Sequence, residues 1–122
     1  MQEIIGEITV EVIKLLDLNL KEAIPIYIGN TNKNHMKRNH PYEYNQFYLK
    51  LPLIISTADY VRLNEQDDSI EYVKSFGKFI KLAVRVAGDN KYYVRSLYFI
   101  ESNRVENLIK KGELKPLTKE RT

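Results

Sequence analysis

The chain contains no cysteine and no tryptophan, and only two histidines, His35 and His40, among 122 residues. Without cysteine there can be no disulfide, no thiolate metal site and no thiol nucleophile. Two imidazoles are too few to build a zinc centre, so neither a metal site nor a cofactor is expected. Long apolar runs are also missing. Leu51–Ile55 falls far short of the ~20 residues of a membrane span, and no membrane partner is expected. Residues 1–7 show neither a cationic leader nor a small-residue cleavage site. The expectation is a soluble, cytoplasmic protein with one domain over residues 1–122. There is no Walker loop, no GxGxxG, no GxSxG elbow and no carboxylate cluster suited to two metals. Nucleotide hydrolysis and two-metal nuclease chemistry are therefore poorly supported.

What is present is an ordinary globular balance, 43% apolar and 29% charged, with a net charge of +3. The charge is unevenly spread. Residues 1–29 sum to −3, residues 30–50 to +3, residues 59–75 to −3, residues 76–100 to +4 and residues 101–122 to +2. Cations gathered in two internal segments suit a polyanion, because phosphate neutralisation supplies most non-specific nucleic-acid affinity.

The N-terminal stretch supports two readings. A short strand on Ile4, Ile5 and Ile8 can lead to a helix capped by Thr9, or a strand can run through Ile8, Val10 and Val12. Ile24–Ile28 reads as a buried strand ended by Gly29-Asn30. A polar helix follows, with Asn30 or Thr31 as its cap and its end near Asn39, because Pro41 disfavours helical geometry at His40. Residues 42–50 are aromatic and irregular, and no element is assigned there. Pro52 suits the first turn of a short helix reaching Ser56.

From Asp59 the pattern is that of strands: 59–64, 69–76, 78–87 and 91–100. Asn103 with Glu106 has capping-box spacing for a last helix, in which Val105, Leu108 and Ile109 face the core and Gly112 follows the end. The fold class expected is α+β, with N-terminal helices packed on a four-stranded antiparallel β-sheet and a C-terminal helix.

If Gly88-Asp89-Asn90 is a three-residue loop, Ala87 pairs with Lys91, Arg85 with Tyr93 and Ala83 with Arg95. One face then holds Ile80, Leu82, Val84, Val86, Tyr92, Val94, Ser96 and Tyr98. The other gathers Lys81, Arg85, Tyr93 and Arg95. A two-residue loop at Asp89-Asn90 would shift pairing by one and put Arg95 among apolar side chains, which burial cost argues against. The basic face is a binding surface or simply a solvated exterior.

The helix over residues 30–40 has Met36 as its one strongly apolar residue, a narrower stripe than a structural helix usually shows. It reads as a surface or cleft-lining helix. His35 and Arg38 share a face, whereas His40 lies about 140° further round, so the imidazoles need not converge. Nine tyrosines invite base stacking, though most are expected to pack in strands. Glu71 and Tyr72 are candidates for either sheet face. Histidine, a tyrosine or carboxylate, and an Arg/Lys cluster are the groups that metal-free RNA transesterification needs.

The series Ile24–Pro41, Leu51–Val61, Ser69–Val73, Leu82–Val86, Val94–Tyr98 and Arg104–Gly112 resembles the phage-associated nuclease domains of the barnase–EndoU–colicin–RelE superfamily, over residues 20–115 or so. The resemblance implies helices on a four-stranded antiparallel sheet and metal-independent endoribonuclease chemistry in a cleft between helix and sheet. Such an enzyme would be of phage or mobile-element origin. The histidine motif falls on His35 and His40, the strand motif on Arg95 and Ser96, with Arg85, Glu71 and Tyr72 as weaker carry-overs. In the register above, Arg95 and Ser96 point to opposite faces and should not both line the cleft.

The leading expectation is RNA cleavage to a 2′,3′-cyclic phosphate. His35 or His40 acts as acid or base, Arg95 with Arg85 stabilises the phosphorane, and Lys37, Arg38, Lys81 and Tyr93 bind the substrate. The partners expected are RNA, single-stranded or tRNA-like, and an inhibitor or immunity protein. The competing readings are a catalytically inactive RNA- or protein-binding module on the same fold, or an accessory protein that works within a complex.

Overall fold

The computed structural model describes residues 2–118. In chain order the elements are β1 (Glu3–Ile8), α1 (Val10–Leu15), β2 (Ile24–Ile28), α2 (Asn30–Asn39), α3 (Pro41–Phe47), a 3-10 turn (Tyr48–Lys50), α4 (Leu51–Thr57), β3 (Tyr60–Asn64), β4 (Ser69–Phe76), β5 (Lys78–Val86), β6 (Tyr92–Ile100), α5 (Ser102–Lys110) and β7 (Lys115–Pro116).

The fold is α+β, but the sheet has seven strands rather than four, in the order β1-β2-β6-β5-β4-β3-β7. The expected meander β3–β6 forms its middle. β2 joins β6 in parallel through Ile26↔Tyr92 and Tyr27↔Tyr93, bringing β1 with it. β7 adds to β3 through Tyr60↔Pro116 and Val61↔Lys115. Both joins are two residue pairs long and link segments far apart in the chain, so no local alternation announces them. The chain also opens with a strand, not with helices. Thr9 then caps α1, its hydroxyl accepting the Val12 N–H at 3.3 Å.

One face of the sheet carries the main core. Ile70, Tyr72, Ile80, Leu82, Val84, Val94 and Leu97 meet Val12 of α1, Met36 of α2, Tyr44 and Phe47 of α3, and Leu51 and Ile54 of α4. α4 approaches β1 so closely that a Cβ on Gly6 would lie 2.9 Å from Ile55 Cγ2. The opposite face holds a smaller cluster of Val73, Val105, Leu108 and Leu114 under α5. Helix α5 starts at Ser102 behind Glu101, without the capping box expected at Asn103, and Ile109 is 37% exposed rather than buried. Its end is as read. Gly112 adopts φ +74°, and the N–H groups of Gly112 and Glu113 donate to the carbonyls of Ile109 and Leu108, a Schellman closure. Beside α5, this second face carries Lys81, Ala83 and Arg85 of β5.

Candidate active site

The hairpin closes as a three-residue loop: Ala87 N–H donates to Lys91 O at 2.9 Å, and Arg85 pairs with Tyr93. Further along, the expected register fails. Val84 pairs with Val94 but Ala83 pairs with Ser96, so Arg95 is an extra residue, a β-bulge. Side-chain alternation reverses there. Val94 and Leu97, three apart, both reach the main core, while Ser96 and Tyr98 turn to the second face with Lys81 and Arg85. The expected placement of Ser96 and Tyr98 on the apolar face is therefore corrected. That spacing of three between apolar strand residues was the available signal.

With the bulge in place, Arg95 and Ser96 line the same recess. Its volume is about 90 Å³, and it is bounded by His35, Asp67, Ser69, Ala83, Arg85, Arg95 and Ser96. The helix that supplies His35 is α2, which packs along β6. Asn32 accepts the Gly29 N–H at 2.8 Å at its start, and Pro41 stops it after Asn39, so Gly29 rather than Asn30 or Thr31 is its cap. The Asn39 amide nitrogen lies 3.1 Å from His35 Nε2 and 3.2 Å from Nδ1, steadying an exposed ring. Ser69 donates to Asp67 at 2.6 Å on the opposite wall. Asp67, Ser69 and Ala83 were not foreseen as lining residues.

His40 sits apart from the recess lining, against the same strand β6. At the junction of α2 and α3, its ring stacks on Tyr98, with centroids 5.1 Å apart and planes 19° apart. Beneath Tyr98, Lys81 Nζ sits 4.6 Å from the ring centroid and 3.2 Å from Glu71 Oε2. Glu71 is 2% exposed and also accepts from Arg62 Nη1 at 3.0 Å and Asn64 Nδ2 at 3.2 Å. A carboxylate with three donors on it is a buried anchor. Lys81 is 8% exposed and turned to that anchor, away from the surface where a phosphate would lie.

Other candidates stand apart. Tyr72 points into the main core. It is 1% exposed, its hydroxyl has no hydrogen-bond partner, and burial pushes its phenol up from the ordinary value. Tyr93 lies towards the hairpin tip. Its hydroxyl donates to Asp89 Oδ2 at 2.7 Å and accepts from Gln2 Nε2 at 2.7 Å. That contact holds the Asp89 carboxyl below its usual range and raises the Tyr93 phenol. Lys37 and Arg38 are exposed on α2, with Lys37 Nζ 5.5 Å from the Tyr44 ring centroid.

The recess thus combines an imidazole, two guanidinium groups, the Ser96 hydroxyl and the Asp67 carboxylate that Ser69 engages, a set whose cations outnumber its one acid and which can hold a phosphate and move a proton at it. Among the described residues, no group of three or more His, Cys, Asp or Glu is placed to hold a metal ion, and no helix is long and apolar enough to cross a membrane. A family model described as phage-Barnase-EndoU-ColicinE5/D-RelE like nuclease3 matches residues 3–107. No curated protein and no solved structure matches the chain significantly.

Proposed function

The chain belongs to the phage-Barnase-EndoU-ColicinE5/D-RelE like nuclease family, and from that premise we propose that it is a metal-independent endoribonuclease. The observation that carries this reading is the recess shared by His35, Arg85, Arg95 and Ser96, with His40 on the adjoining Tyr98.

In the proposed reaction the scissile phosphate sits against Arg95 and Arg85, and the Ser96 hydroxyl donates to a phosphate oxygen. One imidazole takes the proton from the 2′-hydroxyl as its oxygen bonds to phosphorus. The other gives a proton to the departing 5′-oxygen as the P–O5′ bond breaks, leaving a 2′,3′-cyclic phosphate. The guanidinium groups meet the charge that grows on the phosphorane, the task a metal ion has in other nucleases. Lys37 and Arg38 hold the flanking backbone. Glu71 and Lys81 act through Tyr98 as positioning residues for His40.

The test is purified protein with mixed RNAs in EDTA, with products read by mass spectrometry. Cleavage to cyclic-phosphate ends is expected, along with inert 2′-deoxy substrates. The rate should fall by at least ~100-fold in a His35→Ala/His40→Ala variant, the lower bound for losing acid–base catalysis. No cleavage, or equal cleavage by the double variant, overturns the reading.

A further inference from the structure

Tyr42 is 65% exposed on the first turn of α3, two residues after His40. Its ring rests against Phe99, with centroids 6.1 Å apart at 46°. Phe99 in turn meets Phe47 edge-on at 5.7 Å, and Phe47 packs on Phe76 at 5.2 Å. Tyr42 is therefore an outward-facing ring on a rigid aromatic base.

Lysines surround that base. Lys78 Nζ lies 5.4 Å from the Phe99 centroid, Lys50 Nζ 5.3 Å and Lys74 Nζ 5.9 Å from that of Phe76. None of the three forms an ion pair with a described residue. A recess of about 340 Å³, lined in part by Lys78, Phe79, Phe99 and Ile100, opens beside them, with Glu101 as its one acidic lining residue. An accessible ring seated on an aromatic base that carries uncompensated cations fits a single nucleic-acid strand, whose bases stack and whose phosphates need neutralising. His40 and Tyr42 lie on consecutive residues of β6, Tyr98 and Phe99, which face opposite sides of the sheet. The start of α3 therefore straddles the strand, with the histidine on the recess side and the tyrosine across the edge.

We propose that Tyr42, backed by Phe99, with Lys78, Lys50 and Lys74 on the aromatic base behind it, is a stacking subsite for one unpaired base next to the cleaved bond, so that the substrate is single-stranded there. The inference rests on the ribonuclease reading and adds a substrate class to it. A base held in a duplex cannot present its face to Tyr42.

The experiment is a fluorescence-anisotropy titration with a single-stranded 2′-O-methyl oligonucleotide, which cannot be cleaved, the same strand in a duplex, and inorganic polyphosphate. Tyr42→Ala should weaken single-strand binding by about 5- to 150-fold, the equivalent of ~1–3 kcal/mol per stacked base. Tyr42→Trp should restore it, and polyphosphate binding should not change in either variant. Equal single-strand affinity in wild type and Tyr42→Ala overturns the subsite while leaving the cleavage assay in EDTA to stand. Equal loss of polyphosphate binding overturns it too, since charge would then be the cause. Self-association abolished by Tyr42→Ala, with oligonucleotide binding intact, would assign the patch to a second copy of the chain and overturn it. A wild type that neither binds nor cuts RNA overturns both readings.

Discussion

The ring of His40 stacks on that of Tyr98, with centroids 5.1 Å and planes 19° apart, and the ammonium of Lys81 lies 4.6 Å from the centroid of the same phenol ring. The tyrosine therefore links a surface imidazole to a buried charge network. Tyr98→Phe keeps the stack and should leave RNA cleavage within about twofold. Tyr98→Ala removes it and should slow cleavage by roughly tenfold, since an aromatic pair contributes ~0.5–1.5 kcal/mol beyond its buried area. Single-turnover rates for the two variants check this.

Glu71 binds Lys81, Arg62 and Asn64 in the interior. Removing its charge strands a buried ammonium. Glu71→Gln should destabilise the fold by about 3 kcal/mol, at the low end for a broken buried pair. A Glu71→Leu/Lys81→Met double variant should recover only part of that loss, because Arg62 and Asn64 still lose their acceptor. Urea denaturation midpoints measure both.

Much of this was legible in the chain. The strands β3–β6 lie where their alternation places them, although that of β6 breaks at Arg95, α2 ends where Pro41 requires, and the loop at Gly88-Asp89-Asn90 closes as its residues allow. The seven-strand sheet was not legible. Its extra joins rest on pairs such as Ile26↔Tyr92, fixed by tertiary packing rather than by local sequence. The bulge was half legible. Val94 and Leu97 are an odd number of residues apart, but Tyr98 and Ser96 could be fitted to a regular ladder as readily as to a broken one. Tyr72 and Glu71 carry reactive groups, and nothing in their spacing says that one is buried unpartnered and the other is saturated with donors.

Tyr72 lies in the main core with an unpartnered hydroxyl. Tyr72→Phe should leave stability unchanged or raise it by up to ~1 kcal/mol, because an unsatisfied buried group is removed, and RNA cleavage should not change. Burial raises this phenol above the ~10 of an exposed one, so the unfolded chain loses its proton first. The contribution is complete below about pH 10 and diminishes as pH rises further. Thermal melts should show wild type losing stability faster than Tyr72→Phe above pH 10.

Arg95 is exposed at the mouth of the recess. If it contacts a phosphate, Arg95→Ala should lower the slope of log affinity against log salt by about 0.7 for a single strand. Arg95→Lys should keep the slope but cut more slowly, because an ammonium lacks the forked donors of a guanidinium. Titrations at several salt concentrations separate the two effects.

Residue 95 is surplus to the scaffold. With it removed, Val94 would still oppose Val84, Ser96 would still oppose Ala83, and the ladder would run on without a fault. A shortened chain should therefore fold at least as well as the natural one and lose a cation at the mouth of the recess. Unimpaired folding of the shortened chain together with slower RNA cleavage, read from urea midpoints and single-turnover rates, would tie the irregularity to the proposed chemistry rather than to folding.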